Sequence, residues 1–335
     1  MENVTEALME IRNLKTYFPI RSGLLQRTVG YVKAVDHVDL EIERGEIFGL
    51  VGESGSGKTT LARSILRLIE PTSGEVIFNG TDILKVNGNT LKQMRRNFQI
   101  VFQNPFLSLN PRMTVRNLIA EPLGAHTEMS EKEITRRASE LLGLVGLTDE
   151  QLWKYSVELS GGQAQRVCVA KALALNPSFV VLDEPTSSLD VSVQAQILNL
   201  LKDLQKELDL TYLLITHDLG VVEYLVNRVA VMYLGKIVEI GTFEEIFRDA
   251  AHPYTQALLS AVPSVDGTPL TQSRIILRGT VPSPANPPSG CTFHPRCHRY
   301  IGDICRDVEP SLNPLSATRK VACHLYSAKQ PRATA

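Results

Sequence analysis

The chain has 335 residues, 35 Lys and Arg against 36 Asp and Glu for a net charge of −1, with 43% hydrophobic and 21% charged residues. At about 150 residues per domain, that length predicts two domains, or one large domain with an appendage. The near-neutral balance excludes the strong field that holds a nucleic-acid backbone or an anionic membrane, and the composition excludes a mainly disordered or fibrous chain.

Residues 1–13 carry Glu2, Glu6 and Glu10 and no basic segment followed by an apolar one, so no secretory signal is expected and the location predicted is cytoplasmic. Strands are expected at 47–51, 98–102, 179–182 and 212–216, where short apolar, β-branched runs occur. Helices are expected between them, at 59–69, 131–145, 163–174 and 193–208, where apolar residues recur at helical spacing. That alternation predicts an α/β domain with a largely parallel core sheet. Segments 32–43 and 229–240 read instead as antiparallel strands, the latter folding at Leu234-Gly235-Lys236. The longest apolar runs, such as 179–182 and 229–234, fall far short of the roughly 20 residues that cross a bilayer.

The composition changes near Ala251. Of the 18 prolines, 11 lie in the last 84 residues, and Cys291, Cys297, Cys305 and Cys323 fall within a 33-residue window. We therefore expect one domain over residues 1–255 and an extension over 256–335, with 329–335 a loose tail.

Gly52-Glu53-Ser54-Gly55-Ser56-Gly57-Lys58-Thr59 follows the strand at 47–51 directly and sets two glycines five apart before Lys and Thr. Glycines let successive N–H groups turn inward on phosphate oxygens, and a helix starting near Lys58 adds the positive end of its dipole. A plain glycine turn would use the same residues, but the motif has company. Phe179-Val180-Val181-Leu182-Asp183-Glu184 is an apolar strand ending in two carboxylates, which a strand parallel to the first would carry to the same sheet edge. Asp183 is suited to anchoring Mg²⁺ through water, and Glu184 to orienting or deprotonating the water that attacks a γ-phosphate. Leu159-Ser160-Gly161-Gly162-Gln163 opens a further helix, with Ser160 as its cap and two glycines permitting close backbone approach.

Together these motifs resemble the ATPase subunit of an ATP-binding-cassette (ABC) transporter. The resemblance implies a Walker A loop at Gly52, Ser54, Gly55, Ser56, Gly57, Lys58, Thr59 and Thr60, a Q-loop glutamine at Gln103, and a signature at Ser160, Gly161, Gly162 and Gln163. It also implies a Walker B at Asp183 and Glu184, a D-loop at Asp190 and a switch histidine at His217. Thr59, Gln103 and Asp183 would hold Mg²⁺, and two ATPs would be sandwiched in a head-to-tail dimer, each contacted by the other subunit's signature. The adenine would stack on an aromatic side chain. Of Tyr17, Phe18 and Tyr31, the family pattern favours Tyr17, with Tyr31 the alternative.

Ala34-Val35-Asp36, Asn104-Pro105, His252-Pro253-Tyr254-Thr255 and Gly290-Cys291 are similar to segments of the oligopeptide and dipeptide importers, a subgroup that includes nickel systems. Residues 159–165 resemble the second, F-type ATPase of such importers. The partners implied are a non-identical ATPase subunit, two membrane permease subunits and, indirectly, a solute-binding protein, with no nucleic acid, at the cytoplasmic face of the membrane. A chromosome-maintenance ATPase would carry a long coiled coil between the motifs, and a translation-factor ATPase would carry two cassettes, so neither fits. A regulatory subunit that binds ATP without turnover would not need Glu184 and His217.

For the four cysteines the readings are disulfides, which a reducing compartment disfavours, a structural zinc site drawing also on His294, His298 or His324, and a [4Fe–4S] cluster. The resemblance favours the cluster. Cys168, in the other domain, is expected to pack as a small apolar residue.

Overall fold

The computed structural model describes residues 7–23, 26–261, 275–277 and 279–326, so Glu2, Glu6 and the tail expected at 329–335 lie outside the described residues. The chain divides into two compact units, one of Met1–Leu8, Ile42–Ile47 and Phe78–Thr216, the other of Met9–Glu41, Phe48–Ile77 and His217–Ala335.

The first unit is built on three parallel strands, Phe98–Val101, Phe179–Asp183 and Thr211–Thr216, with Phe179–Asp183 in the middle. The middle strand is buried along its whole length, as a strand covered on both faces must be, which explains its unbroken apolar run. Helices Val115–His126, Glu131–Leu144 and Gly161–Leu173 pack on one another, and Leu118, Ile119, Leu141, Leu142 and Val167 on them are buried. Ser130 starts Glu131–Leu144 with a capping box, its Oγ accepting the Glu133 N–H while Glu133 accepts the Ser130 N–H at 2.8 Å. Cys168 packs here against Ser108 Oγ at 3.3 Å, and burial pushes its thiol up to about 11, in line with the apolar role expected of it.

In the second unit, the strand Ile47–Val51 runs parallel to Arg228–Tyr233, pairing Phe48 with Arg228 and Val51 with Val231. Arg228–Tyr233 and Lys236–Thr242 form the expected hairpin, turning at Leu234 (φ 45°) and Gly235 (φ 78°). Two positive φ values match the twist of flanking strands, and Leu234 adopts one despite its side chain. A second sheet places Ala7–Ser22 between Arg27–Glu43 and Ser73–Phe78. Beyond the sequence expectation, Lys320–Val321 pairs antiparallel with Lys236–Thr242, Glu239 opposite Val321, and Asn313–Pro314 pairs with Lys320–Val321. A buried ion pair seals this edge: Arg319 donates to Glu239 from Nη2 at 2.7 Å and Nε at 3.1 Å, and Glu239 also accepts the backbone N–H groups of Ala251 and His252.

The expected helix at 59–69 is shorter, Lys58–Ile65. Arg67 takes φ 49°, Leu68 N–H bonds to Arg63 C=O, and Arg67 N–H bonds to Ser64 C=O, which terminates the helix at the point where a glycine would be expected. Among the described residues no helix is long and apolar enough to cross a membrane.

Candidate functional site

In the second unit, the loop after Ile47–Val51 wraps the amino end of Lys58–Ile65. Gly57, its N-cap, has φ 109°, and a Cβ there would lie 2.1 Å from the Ala34 carbonyl oxygen, so only glycine fits. Gly57 makes no side-chain cap bond to this helix, whose amino end carries the positive end of the helix dipole. Lys58 Nζ donates to Gly52 C=O at 2.8 Å, Glu53 C=O at 3.0 Å and Ser56 Oγ at 3.4 Å. The loop is anchored from outside by Gly235 N–H to Ser56 C=O and by Glu53 N–H to Tyr254 Oη, both at 2.8 Å. Ser56 and Lys58 are buried, and Ser54, Gly55, Thr59 and Thr60 are more open. His217, exposed, lines a cleft together with Gly52, Glu53, Asp218 and Arg296. The structure thus brings His217 to the glycine loop, which sequence spacing alone did not require.

Tyr17 lies in the same unit. Its hydroxyl donates to Asp36, and the Lys33 ammonium stands 5.8 Å from its ring centroid. Burial, and then the Asp36 hydrogen bond, hold its phenol protonated well above the ordinary range. Tyr31 and Phe18 are exposed.

In the first unit, Asp183 ends its strand buried, at 3% exposure, and Glu184 follows half-buried with φ 48°. A left-handed glutamate is a strained conformation, held here by Glu184 N–H bonding to Ile215 C=O at 2.9 Å. Gln103 Nε2 donates to Glu184 Oε2 at 2.7 Å. Ser160 caps Gly161–Leu173 in a capping box: its Oγ accepts the Gln163 N–H at 3.3 Å and Gln163 Oε1 accepts the Ser160 N–H at 3.0 Å. Gly162 is packed so closely that a Cβ would lie 2.6 Å from Val193 Cγ1. Asp190 caps Val191–Glu207 through the Val193 N–H at 3.0 Å, and its hydrogen bond with Ser192 lowers its carboxyl below the usual range. In the same unit the side chains Phe106, Leu107, Trp153, Tyr155 and Val157 are exposed.

The expectation that Cys291, Cys297, Cys305 and Cys323 gather on a metal finds no support among the described residues. All four are free thiols in the second unit, Cys305 buried and the others half-buried, and Cys291 N–H bonds to Cys305 C=O at 2.8 Å. Burial raises Cys291 and Cys323 to about 11 and also raises Cys297. Soft thiol donors of this kind suit iron–sulfur or zinc chemistry. Yet among the described residues no three His, Cys, Asp or Glu side chains are grouped so as to hold a metal ion. His294 Nδ1 and His324 Nε2 each lie at hydrogen-bond distance from a backbone carbonyl, of Cys291 and Val308 respectively, an arrangement that leaves the other ring nitrogen of each to a ligand.

Sequence reasoning missed Arg296. Its guanidinium grips Glu53 with two hydrogen bonds, and the two residues are 243 positions apart, so no local pattern announces the pair.

A glycine-built anion loop, a strained carboxylate at a strand end and a capped glycine helix define an ATP-binding cassette. Residues 35–187 match the ABC transporter family, and residues 238–305 match the family described as "Oligopeptide/dipeptide transporter, C-terminal region". The chain is 49% identical to the oligopeptide transport ATP-binding protein AppF of Bacillus subtilis over 96% of its own length and 98% of that protein. It is 45% identical to the dipeptide transport ATP-binding protein DppF of Haemophilus influenzae, covering 94% and 96% respectively. A dimeric post-hydrolysis structure of the cassette MJ0796 bound to ADP and phosphate matches 70% of this chain and 98% of its own at TM-score 0.63 and 30% identity. The cassette cbiO1 from Clostridium perfringens matches 73% and 92% at TM-score 0.62 and 28% identity. The chain belongs to the ATP-binding subunits of ABC transporters, in the oligopeptide/dipeptide branch.

Proposed function

We propose that this chain hydrolyses ATP to ADP and phosphate to drive import of dipeptides or oligopeptides through two membrane permease subunits, at the cytoplasmic face of the membrane, as one half of a dimer with a non-identical ATPase. The observation that carries hydrolysis rather than passive binding is Glu184, strained into φ 48° with Gln103 bonded to its carboxylate. In this reading Gly52, Ser54, Gly55, Ser56, Gly57, Lys58, Thr59 and Thr60 cradle the phosphates, Lys58 reaches the outer ones, Glu184 takes a proton from the attacking water, and His217 bonds to the γ-phosphate. Thr59, Asp183 and Gln103 offer hard oxygen donors that fit Mg²⁺, which when bound neutralises charge on the β- and γ-phosphates. Ser160, Gly161, Gly162 and Gln163 contact the partner's nucleotide, with Asp190 of the D-loop alongside, and Tyr17 stacks on adenine. The exposed Phe106, Leu107, Trp153 and Val157 suit docking of a permease segment near Gln103.

The domain reading is an ATPase over residues 1–255 and a peptide-importer extension over 256–335. For the latter's cysteines we hold to a [4Fe–4S] cluster, with zinc as the alternative; four free soft thiol donors in one segment support the reading. Protein purified anaerobically should be brown, and Cys297→Ser should be colourless; one stoichiometric zinc in a colourless protein would decide for zinc, and no metal would sink both.

The test of the whole reading is ATP hydrolysis by the purified chain with and without a co-expressed second ATPase. Activity should need the partner, and Ser160→Arg should impair the partner's site while this chain's own loop still binds ATP. Full activity from a strictly monomeric preparation overturns it.

A further inference from the structure

A carboxylate inside a phosphate-binding loop works against the loop, because it repels the polyanion that the backbone N–H groups and Lys58 attract. Glu53 is such a residue: it sits second in the loop, and its own carbonyl accepts from Lys58 Nζ at 3.0 Å. Its carboxylate is held at both oxygens by one guanidinium, Arg296 Nη1 to Oε2 at 2.8 Å and Nη2 to Oε1 at 3.2 Å. The Arg296 side chain is only 9% exposed, its guanidinium lies 5.9 Å from the Tyr233 ring centroid, and its Nη1 also reaches Tyr233 Oη at 3.5 Å.

The segment bearing Arg296 is fixed by aromatic packing. Phe293, 1% exposed, stands edge-on to Tyr233 at 5.3 Å between centroids and tilted on Tyr254 at 5.4 Å. Tyr254 in turn accepts the Glu53 N–H. Backbone and side chain of one loop residue are therefore both held by residues at or beyond position 254. A bidentate Arg–carboxylate pair is geometrically specific, and a guanidinium this buried is retained only where a charge answers it.

Resting on the ATPase reading above, we propose that Arg296 is a positioning residue for nucleotide binding: the carboxy-terminal segment reaches back to the phosphate loop and neutralises Glu53, so that the loop can accept the ATP phosphates. At an effective dielectric near 20, two unit charges within about 10 Å change an equilibrium constant by more than tenfold. Removing the guanidinium uncovers that repulsion. Removing the carboxylate as well abolishes it.

The experiment measures Mg-ATP affinity calorimetrically for the full wild-type chain, Arg296→Gln, Glu53→Gln and the double variant, at low and high salt, with melting temperatures alongside. Arg296→Gln should bind ATP about tenfold more weakly, less so at high salt, and the double variant should recover wild-type affinity. Glu53→Gln alone should not weaken binding, which keeps the test open even if Arg296→Gln folds poorly. In the assembled transporter, Arg296→Gln should raise KM for ATP and leave kcat near wild type. Unchanged affinity in Arg296→Gln, weakened binding in Glu53→Gln, or a double variant as weak as Arg296→Gln overturns the proposal, the last because Arg296 would then be only a structural staple. A wild-type chain that binds no ATP would instead overturn the ATPase reading itself, so the two failures are distinguishable.

Discussion

The amide of Gln103 donates to the carboxylate of Glu184 at 2.7 Å across 81 positions of sequence, joining the end of one parallel strand to the end of the next. A glutamine at 184 can still accept that bond through its side-chain oxygen, while losing the ability to take a proton. Glu184→Gln should therefore keep ATP binding and lose turnover by roughly 10²–10⁴ in the assembled transporter. A phosphate-release assay near wild-type rate would remove Glu184 from its role.

Lys58 bonds to two carbonyls of the loop, those of Gly52 and Glu53, which holds its ammonium at the loop proposed to take the phosphates. Lys58→Ala removes a fixed charge worth about 1.5–3 kcal/mol in charged hydrogen bonds, so ATP affinity should fall roughly 10- to 100-fold. Titration with a fluorescent ATP analogue measures this, and unchanged affinity counts against the loop assignment.

His252 is 1% exposed, accepts the Tyr254 N–H on Nδ1 at 3.0 Å, and is pushed down to about 3 by burial. Because the folded state refuses a proton that the unfolded chain takes up, stability is intact above about pH 6.5 and falls as pH drops toward 3, by about 1.4 kcal/mol per unit from this residue. His252→Asn keeps the N-cap acceptor and does not titrate. Urea midpoints followed from pH 7 to pH 5 should decline less steeply in the variant, and parallel declines would exclude His252 as the source.

Gly162 occupies a helical position where alanine ordinarily stabilises by up to about 1 kcal/mol. Here the added Cβ would meet Val193 Cγ1 at 2.6 Å, and a β-branched side chain cannot swing aside. Gly162→Ala should thus destabilise by about 1–3 kcal/mol, with Val193→Ala in the same chain restoring much of the loss. A variant as stable as wild type by urea unfolding would show that Val193 yields.

The parallel strands were legible because full burial leaves an unbroken apolar run, and the phosphate loop because its glycines answer to backbone sterics that any sequence must obey. Two kinds of feature were not. The helix Lys58–Ile65 ends on Arg67 in the left-handed region, a stop normally marked by glycine, so periodicity overran it by four residues, to Ile69. Arg296 and Glu53, like Arg319 and Glu239, are ion pairs between residues far apart in the chain, and nothing in either local stretch distinguishes them from solvated charges. The expected metal grouping of the cysteines rested on their number and on the family resemblance, and neither fixes whether their sulfurs converge.

The edge at Lys320–Val321 bears on how such proteins can be recombined. Glu239 is fully buried, and its carboxylate is answered by Arg319, 80 positions later, in the segment that adds the neighbouring strand. A chimera that takes its first 255 residues from this chain and its remainder from a cousin without an arginine at that place would enclose a lone negative charge, at a cost of about 3–5 kcal/mol. The carboxy-terminal part is therefore inherited with its cassette, and Glu239 and Arg319 must cross any splice junction together.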